Sequence, residues 1–162
     1  MAQDKGAYFE IVPVKLLPQQ ELRMTLYVHQ VTQGPQRNQQ VVVDRSNPSF
    51  GLIAANDWTV FDGFGSGANL VGNAQGMHML GSMTQTSWCI FFDLVFKNGR
   101  FAGSTLKLLG SFGPDAGEWA VVGGTGEFTL AQGVIAFKKV QDGNGMNIRE
   151  LKFHVFYTPI DA

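Results

Sequence analysis

The strongest constraint on this chain is the rhythm with which turns interrupt its apolar segments. From Leu22 to Val31 the residues alternate, with Leu22, Met24, Leu26 and Val28 on one face and Arg23, Thr25, Tyr27 and His29 on the other. That period of two is the mark of a half-buried strand. Further strand-like runs cover Val41 to Val43, Gly51 to Phe61, Val71 to Leu80, Trp88 to Phe96, Ser104 to Gly110, Trp119 to Gly123, Phe128 to Lys139 and Ile148 to Tyr157. Turn chemistry separates them: Gly34-Pro35, Asn47-Pro48, the loop Gly63 to Gly67, Lys97-Asn98-Gly99-Arg100, and Gln141 to Gly145. Asn98-Gly99 predicts a type I′ hairpin turn, because both central residues there need φ > 0. Strands broken by turns at roughly 8–12-residue spacing predict an antiparallel barrel or sandwich. Residues 1–21, with Pro13 and Pro18, read as an N-terminal arm, and residues 22–162 as one barrel domain.

Composition closes off other classes. With 162 residues, one domain is expected and a full core can form without staples. The net charge is -1, from 12 Lys+Arg and 13 Asp+Glu, which leaves no basic surface for nucleic acid or an anionic membrane. Cys89 is the one cysteine, so a disulfide within the chain is impossible. The first residues are polar, with no apolar leader core, and no run approaches the roughly 20 apolar residues of a membrane span. A cytoplasmic location is the expectation.

Few residues announce chemistry. His29, His78 and His154 lie on different strands without ligand spacing, so neither a metal nor a cofactor is expected. Cys89 sits in the apolar run Trp88 to Phe92 and reads as packing, not as a nucleophile. Gly123-Gly124-Thr125-Gly126 could suggest a phosphate cradle, but it lacks the Walker lysine and is followed by strand-like sequence instead of a helix. It reads as a tight turn. Asp57, Asp62 and Glu127 are candidate acid/base groups, with an exposed structural role equally open. More unusual are amides inside strands: Gln30, Asn73, Gln75 and Gln132. An amide facing a barrel interior must be hydrogen-bonded or lie in a wet cavity. Trp58, Trp88 and Trp119 could stack on a ligand, and core packing explains each equally well.

Three stretches together resemble the plant dirigent proteins: Val71-Gly72-Asn73-Ala74-Gln75-Gly76; Gly103-Ser104-Thr105-Leu106 with Gly110; and Val121 to Phe128 followed by Leu130-Ala131-Gln132-Gly133. The resemblance covers about residues 22 to 157. It implies an all-β fold, an eight-stranded antiparallel β-barrel of the allene oxide cyclase and dirigent type. Asn56-Asp57-Trp58, Ala74 to Met79 and Gly117 to Val122 look closer still to the dirigent domain of grass chimeras that carry a C-terminal jacalin-related lectin domain.

Where the family pattern has an Asp in its first strand and Arg in the two later motifs, this chain has Gln30, Asn73 and Gln132. Amides supply no proton donor or acceptor of suitable pKa. The expectation from the sequence is therefore a non-catalytic, carbohydrate-binding domain of a defence protein. Its ligand would be a mono- or disaccharide containing galactose or mannose, held in the barrel by Gln30, Asp57, Asn73, Gln75, Trp88, Glu127 and Gln132. Two alternatives stand beside it: a dirigent-type guide or enzyme acting on phenolic radicals or quinone methides, and an interaction module that aggregates a partner enzyme. The resemblance also admits a jacalin-related fusion partner and a homo-oligomer, dimer or trimer.

Overall fold

The structure is a computed structural model that describes residues 4–5, 8–13, 18–45 and 49–159. Two short strands of the arm, β1 (Asp4–Lys5) and β2 (Glu10–Ile11), pair antiparallel with each other. The remaining strands are β3 (Gln20–Val31), β4 (Gln39–Val43), β5 (Ile53–Phe61), β6 (Leu70–Leu80), β7 (Trp88–Phe96), β8 (Thr105–Phe112), β9 (Ala116–Thr125), β10 (Gln132–Gly143) and β11 (Met146–Tyr157). They form one antiparallel sheet in the order β3-β11-β10-β9-β8-β7-β6-β5-β4. An additional pairing of β3 with β5, through Tyr27↔Phe61, Val28↔Val60 and His29↔Thr59, closes eight of these strands into a barrel. β4 lies outside the closed ring, paired to the first half of β5.

Each strand is half-buried because its side chains alternate across a closed sheet. In β3 the predicted alternation holds, with Leu22, Met24, Leu26 and Val28 facing in. The interior is strongly aromatic. Trp58, Trp119 and Phe128 are at most 1% exposed, and they pack with Phe92, Phe96, Phe112 and Phe137. Trp119 stacks on Phe137 with centroids 4.6 Å apart. Burial of one such side chain contributes roughly 2–3 kcal/mol by removing apolar surface from water.

Two local readings are corrected. Residues 97–104 form a longer loop instead of a two-residue hairpin, and Asn98 uses its side-chain amide to donate to the Leu70 carbonyl at 2.8 Å. The turn with two positive φ angles occurs at Asn144 (53°) and Gly145 (74°), joining β10 to β11. After Gly126 the chain does not continue as a strand. It makes a 3-10 turn over Gly126–Phe128, and β10 starts only at Gln132. Phe128 anchors that turn in the core, and the Glu127 amide donates to Ser104 Oγ at 3.1 Å. The Asn47-Pro48 turn and residues 1–3, 6–7 and 14–17 of the arm lie outside the described residues.

Candidate functional site

Because neighbouring strands run in opposite directions, one end of the barrel gathers the last residues of β3, β6 and β8 and the first residues of β4, β7 and β11. A cleft of about 500 Å³ opens there, a volume suited to a small organic ligand. Its walls include Gln30, Gln39, His78, Trp88, Phe112, Asn147 and Arg149.

His78 occupies the aromatic side of the cleft. It follows Gly72, Ala74 and Gly76 on the inward face of β6, where Ala74 pairs with Trp58 of β5 and the two glycines admit a close approach of β7. The His78 ring lies 5.2 Å from Trp58, 4.9 Å from Trp88 and 6.2 Å from Phe112, centroid to centroid. Its Nδ1 is 3.5 Å from Oδ1 of Asn56, a buried amide whose Nδ2 donates to the Ala74 carbonyl at 2.9 Å. Burial, and then the charge of Arg149, push the imidazole pKa down to about 4. His78 is therefore neutral at physiological pH, able both to give and to take a proton.

Arg149 forms the polar side. It heads the inward face of β11 that continues through Leu151, Phe153, Val155 and Tyr157. Its guanidinium lies 4.6 Å over the Phe112 ring. Nη1 donates to Gln30 Oε1 and, at 2.7 Å, to Asn147 Oδ1. Burial draws its pKa below the ordinary arginine value, an effect opposed by Asp142 and Asp115. Those two carboxylates bind Lys139 at 3.0 and 3.2 Å.

The structure separates the residues singled out from sequence. Gln30 and Trp88 line the cleft. Asp57, Asn73 and Gln75 do not. The β5–β6 register pairs Trp58 with Ala74 on the inner face, which turns Asp57 and its neighbours to the outer one. There Asn73 Nδ2 and Gln75 Nε2 donate to Asp57 Oδ1 at 2.8 and 2.9 Å. Gln132 is exposed on the outer face of β10, two residues from Val134 and opposite in direction to buried Ile135. Glu127 sits at the other end of the barrel, where Oε1 accepts from Arg100 Nη2 at 2.6 Å and from the Tyr157 hydroxyl at 3.2 Å. Asp62 caps a loop by accepting from Asn69. Among the cleft residues that the sequence did not single out as ligand-binding are Gln39, His78, Asn147 and Arg149. For Arg149 the signal was present: a lone cation at the head of an alternating apolar face.

The eight-stranded antiparallel barrel matches the fold of solved dirigent protein structures. The family model for dirigent-like proteins matches residues 21–156, and the chain belongs to that family. It is 30% identical over 165 residues to pterocarpan synthase 1 of Glycyrrhiza echinata, covering 94% of this chain and 88% of that protein. It is 29% identical over 123 residues to dirigent protein 1 of Arabidopsis thaliana, covering 72% and 68%. The solved structure of a pterocarpan synthase dirigent protein superposes with a TM-score of 0.82 at 27% identity, covering 92% of this chain and 91% of that one. The expectation of a non-catalytic domain is corrected by these relatives, which include named synthases. They are pterocarpan synthases and dirigent proteins, and they lend no support to the narrower resemblance to jacalin-fused chimeras. The chain's membership holds at the level of the dirigent family.

Proposed function

We propose that this chain is a dirigent-type catalyst that holds a phenolic substrate in the barrel cleft and steers ring closure on a quinone methide. The observation that carries the reading is the neutral imidazole of His78, set among Trp58, Trp88 and Phe112 at the open end of the barrel. In such a closure a phenol oxygen attacks the exocyclic carbon and forms a C–O bond. The attacking hydroxyl loses its proton, and the quinone oxygen gains one and becomes a phenol. The change is an isomerisation and needs no oxidant. A neutral imidazole can accept the first proton and return one to the second oxygen. The aromatic walls present one face of the electrophile, which fixes the product's handedness. The relatives named pterocarpan synthase support this reading.

The test is chiral chromatography of the product formed from an ortho-quinone methide bearing a tethered phenol, generated in the presence of the protein. Enantiomeric excess that disappears in Trp88→Ala supports the reading. Racemic product from the wild-type chain overturns it.

A second reading rests on the amides. Gln30, Gln39 and Asn147 line the cleft beside Trp88, a set that suits a neutral sugar through paired donors and acceptors and a stacking face. Calorimetry with galactose- and mannose-containing disaccharides tests it. Saturable binding weakened by Gln30→Ala supports it, and no heat at millimolar sugar rejects it.

A further inference from the structure

Arg149 is only 8% exposed, yet no carboxylate lies within ion-pairing distance of it among the described residues. Its two hydrogen bonds both leave through Nη1 and both end on neutral amides, Gln30 and Asn147. Nε is enclosed and has no partner. A buried donor without a partner costs on the order of 1–3 kcal/mol, and more when the group is charged. Nη2 makes no hydrogen bond to the described residues, which leaves it to donate a charge-assisted bond to a carboxylate oxygen. Asp115 and Asp142, the carboxylates that act on Arg149 from further away, are engaged with Lys139. The guanidinium face is already covered by Phe112, and Trp88 and His78 supply aromatic surface in the same cleft.

We infer that the cleft is a site for a planar aromatic carboxylate of hydroxycinnamate size, with the ring among Trp88, His78 and Phe112 and the carboxylate on Nη2 of Arg149. This rests on the phenolic reading above and narrows it from phenols in general to anionic ones. Gln30, the partner that β3 offers to Nη1, is a neutral amide, so it leaves the arginine's charge uncompensated.

The experiment is titration of the full chain with 4-hydroxycinnamate and, separately, with the uncharged 4-hydroxycinnamyl alcohol at neutral pH, followed by tryptophan quenching and calorimetry. The acid should bind at least about tenfold more tightly than the alcohol, the value of one charge-assisted pair. Arg149→Met should remove the preference. Because that buried position could also disturb folding, Gln30→Asp provides the second variant. It places a carboxylate on the guanidinium, and it should abolish the preference while alcohol binding persists. Equal affinity for the two probes in the wild-type chain overturns the anionic subsite and leaves the phenolic reading standing. A preference that survives both variants also overturns it. Binding of neither probe removes both readings together.

Discussion

The indole of Trp58 and the side chain of Gln39 are joined by a hydrogen bond of 2.7 Å, from Nε1 to Oε1. Trp58 is fully buried, so this bond connects the deepest aromatic of the core to the wall of the cleft and to β4. Trp58→Phe keeps most of the packing and deletes that link. The expected loss is about 1 kcal/mol for the bond plus the packing defect left by three ring atoms, about 2–3 kcal/mol together, against about 3–5 kcal/mol for Trp58→Ala. Urea midpoints of the two variants check the ranking. A Trp58→Phe chain as unstable as Trp58→Ala would show that the handle, and not the ring, dominates.

Acid should destabilise the fold through His78. Its folded pKa of about 4 lies below the ordinary 6.5, so the unfolded chain takes up a proton that the folded chain refuses. The contribution is complete above pH 6.5 and is lost as pH falls toward 4. Between about pH 6.5 and about pH 5 it amounts to roughly 1.5 kcal/mol. His29, also lowered by burial, acts in the same direction. Unfolding free energies measured across this window should decline less steeply in His78→Gln than in the wild-type chain, and parallel declines would remove His78 as the cause.

Two adjacent glycines should respond in opposite ways to alanine. A Cβ at Gly124 would stand 2.5 Å from the carbonyl oxygens of both Phe128 and Thr105, whereas a Cβ at Gly123 meets nothing within 4 Å. Both obstacles at Gly124 are backbone, so the 3-10 turn must move. Gly124→Ala should cost about 2 kcal/mol or more, and Gly123→Ala should stay within about 0.5 kcal/mol of wild type. Thermal melts of the pair decide the matter, and equal melting temperatures would contradict the close approach.

Removing the Glu127 carboxylate should leave the cleft untouched. Glu127 pairs with Arg100 and Tyr157 at the far end of the barrel, and the Arg100 side chain is largely exposed. Glu127→Gln should cost less than about 1 kcal/mol, as exposed ion pairs do. Product handedness and phenol affinity should be unchanged. A loss of either would mean that the two barrel ends communicate.

Much of the barrel was legible because period two and turn chemistry are local signals. Trp88 to Phe96 is a strand with the boundaries read from sequence, and the alternation of Leu22 to Val28 gives the correct inward face. Gln30 follows from continuing that alternation by one step. The readings failed where a third dimension decides. Asp57, Asn73 and Gln75 are strand residues of the right polarity, but register places them outside, and a shift of one residue exchanges the faces. Glu127 lies near the motifs in sequence and at the opposite mouth in space. Arg149 stood out as a lone cation at the head of an apolar face, but its place in the site depends on a partner from another strand, Gln30, 119 positions away. The hairpin turn read over Gln141 to Gly145 is present, with positive φ at Asn144 and Gly145, whereas Asn98-Gly99 lies in a longer loop.

Ring closure leaves one piece of the sheet outside the circuit. β4 stands last in the strand order, and Val41, Val42 and Val43 are 49%, 59% and 36% exposed along it. Its outer backbone groups have no ladder partner among the described strands. A valine-rich, uncharged edge of this kind is a template for adding strands from other molecules. The behaviour of the protein at high concentration should therefore depend on Val41, Val42 and Val43, which stand outside the cleft wall. A lysine at Val42 would extend the useful concentration range without touching the cleft.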